Sequence, residues 1–330
     1  MNRFKETPST GNKPVKKWTR RQILRAGFWG TAVMVSGFTL SPVGNDFRSQ
    51  FEQTELTLAS IDTRPVPSNW SDLDFTLTWL GHASFLLNFY GTRILIDPAL
   101  EERIGITPIA NFTVGLKRTQ PAALSVSEIG PVDLLLLSHA HTDHFDYPTL
   151  RQLQSPNTIA VTAKNTSPLW QNLRFQSVSE IHWQESRTYS GVQVKSIEGK
   201  HWGARLPWHK EMTANSYLLS KNGVNIFFGA DTGYSQKILD QLSGISIDLA
   251  IMGIGAYSPK SFEARHATPE QAWQMAEEMG AKWVIPMHWG TFRLSQEPMD
   301  EPIARFRQTA AGQMEKIALQ KIGATWARPR

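Results

Sequence analysis

A layered α/β domain is predicted by three observations. Apolar runs of strand length, separated by turn-forming residues, recur from Phe75 onward. A capped amphipathic helix lies among them after Thr268. Several of the runs end at a His or Asp beside a glycine, the place where an ordered scaffold presents functional side chains.

In chain order, residues 75–89 and 93–97 read as the arms of a hairpin across Tyr90-Gly91. Residues 132–137 (VDLLLL) form an almost wholly apolar run, as a strand buried on both faces requires. Strands are predicted again at 192–197, 216–219 and 224–228, the last two joined by the turn Lys221-Asn222-Gly223, and at 283–287. The helix starts from Thr268 as N-cap, with Pro269 at the first helical position and Gln271 completing a capping box, and stops before Gly280. Ala272, Met275, Ala276 and Met279 recur at i, i+3, i+4 and i+7 with Trp273 beside them, which marks a core-facing stripe.

Composition narrows the class. The 330 residues are 41% hydrophobic and 19% charged, a globular balance that excludes disordered, fibrous and polytopic membrane readings. Cysteine is absent, so any metal is held by His, Asp or Glu. The formal net charge of +5 would ordinarily point to nucleic acid or an anionic membrane. Its placement says otherwise: residues 1–25 carry eight basic side chains against Glu6 alone, a local +7 that leaves the other 305 residues at −2. Such a body has no electrostatic footprint for a phosphate backbone, so nucleic acid is not an expected partner.

The basic stretch precedes fifteen uncharged residues, 26–40. That is short of the roughly 20 apolar residues of a membrane-spanning helix and suits the core of a signal peptide. Thr19-Arg20-Arg21-Gln22-Ile23-Leu24-Arg25 resembles a twin-arginine export signal. Residues 1–45 are therefore expected to be a twin-arginine-type signal, or an anchor if uncleaved, that engages the twin-arginine export machinery and delivers the chain to the periplasm or cell envelope. Residues 46–70 read as a linker and 71–330 as a single catalytic domain.

The most informative segment is Ser138-His139-Ala140-His141-Thr142-Asp143-His144, an H-x-H-x-D-H array directly after the run at 132–137. Four such groups at the end of a buried strand are costly to desolvate unless something binds them, and a metal is the simplest partner. Four local residues cannot complete two metal shells. Three further candidates stand at strand ends: His201 after the 192–197 run, Asp231 after Phe228-Gly229-Ala230, and His288 after the 283–287 run.

With these residues in place the chain resembles the metallo-β-lactamase fold superfamily, and within it the branch of N-acyl-phosphatidylethanolamine-hydrolysing phospholipase D. The matching segments are the array itself, Trp79-Leu80-Gly81-His82-Ala83-Ser84, Leu95-Ile96-Asp97-Pro98, Lys200-His201-Trp202-Gly203, Ala230-Asp231-Thr232-Gly233-Tyr234, Gly255-Ala256-Tyr257 and His288-Trp289-Gly290-Thr291-Phe292. The resemblance implies a four-layer αββα sandwich and two Zn2+ per chain. One zinc would be held by His139, His141 and His201, the other by Asp143, His144 and His288, with Asp231 bridging. Seven ligands for two ions leave room for a bridging hydroxide and for substrate.

Asp143 and His266 are the candidate catalytic residues; His266 either contacts the scissile group, protonates the leaving oxygen or merely shapes the loop before the helix. Asp97 either orients a ligand imidazole or caps the turn before Pro98. His82 is expected to be structural, while His182 and His209 take no assigned role. Ala230 stands where relatives commonly have Gly, and residues 204–213 (ARLPWHKEMT) look like an insertion that bears on substrate rather than on metal.

The implied activity is zinc-dependent hydrolysis of a phosphodiester, of phospholipase D type, on N-acyl-phosphatidylethanolamine or a related lipid. The expected partners are a phospholipid or small-molecule substrate and a membrane surface. Trp202, Trp208, Tyr257, Phe262, Trp289 and Phe292 lie near the candidate ligands in sequence and could accommodate acyl chains. The same fold also hosts lactonases and other carboxyl-derivative hydrolases, which is the alternative enzymatic reading. A non-catalytic metal-binding envelope protein is the reading from another class.

Overall fold

Three short antiparallel strands open the described chain, which a computed structural model covers over residues 63–109 and 112–329. They are β1 (Phe75–Gly81), β2 (Ser84–Phe89) and β3 (Thr92–Ile96). Tyr90 and Gly91 both take positive φ, as a two-residue hairpin loop requires. The sequence predicts residues 75–89 as one arm, and here the structure differs. Gly81 and His82 take φ of 114° and 54°, Gly81 pairs with Ser84, and the chain reverses at His82-Ala83. The expected signal segment at 1–45 lies outside the described residues. Of the expected linker, Pro67–Asn69 make one 3-10 turn and Trp70 packs against the main core.

A separate two-stranded ribbon, β4 (Arg103–Ile109) and β5 (Phe112–Lys117), precedes α1 (Val126–Ile129), β6 (Leu134–Leu136), α2 (Tyr147–Gln152), β7 (Ser155–Ala163) and β8 (Phe175–Ile181). In the larger sheet β3, β6, β7 and β8 run parallel, so their C-terminal ends lie on one side. Asp97 follows β3 and the His139–His144 segment follows β6, which makes the two neighbours across the sheet although they are far apart in sequence.

The second sheet contains β9 (Ser186–Tyr189), β10 (Val192–Glu198), β11 (Asn215–Lys221), β12 (Val224–Phe228), β13 (Leu249–Gly253) and β14 (Trp283–Met287). Asn222-Gly223 forms the predicted tight turn, both residues at positive φ. β12, β13 and β14 are parallel, and β10 shares their direction through two antiparallel steps. His201, Asp231 and His288 therefore leave this sheet from the same edge. A last strand, β15 (Thr325–Ala327), returns to pair with β1.

Alternation along the strands sorts side chains between two cores. Leu219, Ile226, Phe228, Leu249, Ile251, Ile285 and Met287 join the core between the sheets. Leu218, Phe227, Ala250, Met252 and Val284 face outward into a second core, which α3 (Gln236–Leu242), α4 (Pro269–Glu278) and α5 (Glu301–Thr309) cover with Ile238, Met275 and Phe306. Ile129, Leu150 and Trp170 from the short helices complete the larger sheet's packing. This is the αββα sandwich the resemblance implies. The predicted helix is α4, with both halves of its capping box formed between Thr268 and Gln271 and with Ala272, Met275 and Ala276 buried. No helix among the described residues is long and apolar enough to cross a membrane.

Candidate metal centre

Because β3 and β6 are parallel neighbours, the segments leaving them bond at once. Asp97 accepts the Ser138 backbone N–H on Oδ1 at 2.7 Å and the Ser138 hydroxyl on Oδ2 at 2.5 Å. The same Oδ2 accepts from His144 Nδ1 at 2.7 Å, so Asp97 orients an imidazole. Since the Ser138 hydroxyl donates to Asp97, its lone pair accepts from His139 Nδ1 at 2.9 Å. His201 Nδ1 donates to the Arg265 carbonyl at 3.2 Å. Three rings are thus locked with Nδ1 outward and Nε2 inward, the arrangement that outer hydrogen bonds impose on ligating histidines.

The inward atoms gather in two groups. His139, His141, His201 and Asp231 each offer an atom within 4.8 Å of the others, and so do His82, Asp143, His144 and His288. His141 Nδ1 lies 2.9 Å from His139 Nε2 and 3.2 Å from His201 Nε2. Asp143 Oδ2 is 2.9 Å from His82 Nε2 and 3.3 Å from His288 Nε2. Asp231 connects the groups: its Oδ1 is 3.1 Å from His288 Nε2, and its Oδ2 is 3.2 Å from His144 Nε2, 3.8 Å from His201 Nε2 and 3.9 Å from His139 Nε2. All seven sequence-predicted ligands are therefore brought together.

A divalent ion in each group fits these donors. His144 Nε2 and Asp231 Oδ1 are buried without a hydrogen-bond partner of good geometry, and converging imidazole nitrogens call for an acceptor of lone pairs between them. Imidazole and carboxylate without thiolate is a donor set suited to zinc and similar divalent ions.

Electrostatics divide the rings. Burial, reinforced by neighbouring imidazoles, drives His139 and His201 well below the ordinary value, and burial brings His141 down to about 4. Burial would do the same to His144 and His288, but the carboxylates of Asp231 and Asp143 outweigh it, raising His144 well above the ordinary value and His288 to about 9. Burial would likewise raise Asp143 and Asp231; the imidazoles of His144 and His288 hold both well below the usual carboxylate range.

Residues 92–289 match the beta-lactamase superfamily domain. The chain belongs to that family. It is 27% identical over 262 residues to the mitochondrial N-acyl-phosphatidylethanolamine-hydrolyzing phospholipase D of Saccharomyces cerevisiae, a match that covers 75% of this chain and 55% of the yeast protein. It is 27% identical over 249 residues to the N-acyl-phosphatidylethanolamine-hydrolyzing phospholipase D 1 of Caenorhabditis elegans, covering 68% of this chain and 67% of that one. A metal-dependent hydrolase of Methanopyrus kandleri is 24% identical over 229 residues, covering 67% and 87%. Among solved structures, the isothiocyanate hydrolase from Delia radicum gut bacteria has the same fold, with a TM-score of 0.63 at 17% identity over 77% of this chain and 98% of that one. Fold, donors and family are together those of a metal-dependent hydrolase.

His82, ahead of the residues that match the family, enters the site itself, which its expected structural role did not include. Its carbonyl accepts from Trp79 Nε1 at 2.8 Å and from the His288 N–H at 3.1 Å, and its own N–H donates to Thr291 Oγ1 at 3.0 Å. The strained turn thereby delivers the ring to Asp143 and sets it, tilted by 39°, with its centre 4.1 Å from that of His288. His82, Asp97, Ala230, Ala256 and His288 all hold positive φ around the centre, a clustering of strain expected where function over-determines backbone. Ala230, at φ 50°, holds a backbone conformation that glycine adopts more readily than alanine.

His266 Nδ1 lies 3.9 Å from Asp231 Oδ2, with its ring stacked 5.5 Å from His288. Burial lowers it to about 4. Of the aromatics, Trp202 stacks 4.4 Å from His201 while remaining 46% exposed, and Phe292 meets His82 edge-on at 5.1 Å. Trp289 instead packs on Trp79, and Tyr257 donates its hydroxyl to Glu301. His182, in the β8–β9 turn, and His209 belong to neither donor group.

Proposed function

We propose that this hydrolase is a zinc-dependent phosphodiesterase of phospholipase D type, acting on N-acyl-phosphatidylethanolamine or a related phospholipid. The observation that carries the reading is the pair of donor groups sharing Asp231, with two imidazoles, His141 and His266, not fully buried beside it. Divalent ions held there supply Lewis acidity toward a phosphoryl oxygen and acidify a water near neutral pH. The chain's own groups position and discriminate. Asp97, Ser138 and the Arg265 carbonyl fix the imidazoles. His266, with its pKa near 4, is neutral at physiological pH; it serves as a hydrogen-bonding group at the scissile oxygen, not as an imidazolium acid. Trp202 offers an exposed apolar face beside His141, and the Arg265 guanidinium 5.7 Å over its ring adds positive charge, a pairing suited to an acyl chain next to a phosphate. The two relatives named as phospholipases D support the same substrate class.

The same reading sends the enzyme to the periplasm or cell envelope by the twin-arginine machinery and brings it to a membrane surface. Replacing Arg20 and Arg21 together with Lys should retain it in the cytoplasm; unchanged export would refute the address. For the chemistry, the full-length protein and Asp143→Ala should be assayed for bound metal and for alcohol release from a panel of phosphodiesters, phospholipids and lactones. Phosphodiester cleavage lost in the variant is the expected result. Lactone opening without any phosphodiester cleavage would sink the reading in favour of a lactonase.

A further inference from the structure

Residues 204–213, which the sequence presents as an insertion bearing on substrate, turn one side chain toward the metal-binding segment. The loop closes at its base: a Cβ on Gly203 would lie 2.0 Å from the Thr213 carbonyl oxygen, so only glycine allows the ends to meet. Its far arm is anchored by Asn165 Nδ2 donating to the Glu211 carbonyl at 2.7 Å and by Thr213 N donating to the Lys164 carbonyl at 3.2 Å. Held this way, the loop directs Arg205 across the segment that follows β6. Nη1 donates to the Phe145 carbonyl at 2.6 Å and to the Ala140 carbonyl at 3.2 Å. The guanidinium lies 4.6 Å from the Tyr147 ring centre and 5.6 Å from that of Phe145.

Those two carbonyls bracket the ligands. Ala140 stands between His139 and His141, and Phe145 directly follows His144. The turn's own bonds, from His144 N and Phe145 N to the His141 carbonyl at 3.1 and 2.8 Å, close only its interior. We propose that Arg205 is a positioning residue whose paired hydrogen bonds hold the H-x-H-x-D-H turn in its ligating shape and so set metal affinity. Bonds from a cation to two carbonyls are stronger than neutral ones, and the planar guanidinium stacked on Tyr147 gives them a fixed direction. Arg205 also follows His201 by four residues, so one segment supplies a ligand from the smaller sheet and braces the array from the larger. It acts through backbone and belongs to neither donor group. The inference rests on the metal reading of the centre and not on phosphodiester chemistry.

The test compares the full-length parent with Arg205→Met and Arg205→Lys by chelator competition for Zn2+ and by thermal unfolding with and without Zn2+. Met keeps the apolar stem but loses charge and donors; its zinc Kd should rise about 10- to 100-fold, and the Tm gained on adding zinc should shrink. Lys keeps charge and donors without the planar stack and should recover part of the affinity. Both variants binding zinc within about twofold of the parent would overturn the proposal. So would a metal-free Tm that falls as far as the zinc-bound Tm, because a merely structural brace leaves the zinc increment unchanged. If the Met variant does not fold, the Lys variant decides by the same Kd criterion. A parent that binds no zinc overturns this inference and the proposed function together. A parent that binds zinc, responds to Arg205 as expected and cleaves no phosphodiester overturns the proposed function alone.

Discussion

The two donor groups are joined by one carboxylate, yet most of their rings hold protons in opposite ways. Around His139, His141 and His201 burial prevails, and the rings stand neutral with lone pairs ready. Around His144 and His288 the carboxylates of Asp231 and Asp143 prevail, and the rings keep protons where an ion would sit. The difference teaches that similar burial leads to different ligand readiness according to whether carboxylates outweigh burial and neighbouring imidazoles at each ring; His82, beside Asp143 in the second group, is lowered to about 3 by burial and by His288. The first group is prepared for metal; the second must exchange protons for it.

Removing what the groups share should break the comparison most completely. Asp231→Ala deletes the bridge to both, so metal content should fall from two ions toward none and hydrolysis by at least about a thousandfold, ~4 kcal/mol of transition-state stabilisation. Metal analysis beside turnover measures it, and a variant that keeps both ions would show that Asp231 is no bridge.

A change confined to one half comes next. Asp97→Ala leaves the His144 ring without its acceptor, and the second ion should bind about 10- to 100-fold more weakly while the first is little affected. Stepwise titration with zinc separates the two events. Equal weakening of both would mean that Asp97 supports the whole segment and not one ring.

Proton competition should sharpen the contrast with the smallest effect per step. His288, at about 9 in the metal-free protein, and His144, held well above its ordinary value, must each lose a proton to ligate, so affinity at the second position should fall by at least roughly tenfold for each pH unit below 9. His141, at about 4, is already neutral there, so affinity at the first position should stay flat between pH 6 and 9. Calorimetry in buffers of different ionisation enthalpy reads the protons released. Equal release at both positions would contradict the division.

Much of this is legible in the sequence. The array at the end of an apolar run, the three further donors at strand ends and the capped helix α4 each carry a local signal; the structure brings the donors close together and forms the helix. The break at His82-Ala83 is not legible, because Gly81-His82-Ala83-Ser84 is a short interruption between apolar runs and only Gly81 is a turn-forming residue. β8 and β9 are edge strands with mostly exposed faces, and β4–β5 stands apart from both large sheets, so none shows the pattern of a buried strand. Tyr257 and Trp289 illustrate the opposite error: proximity in sequence to a ligand does not bring a ring to the site.

The sequence by itself determined which atoms could bind a metal, since a chain without cysteine has only imidazole and carboxylate to offer and clusters them after buried strands. Only the tertiary structure decided how those atoms are aimed. Asp97 meets His144 across 47 positions, His82 meets Asp143 across 61, and Arg205 meets Ala140 across 65. Such contacts depend on which strand ends lie side by side and on the turns leaving them, and sheet pairing sets that order through burial of the whole core.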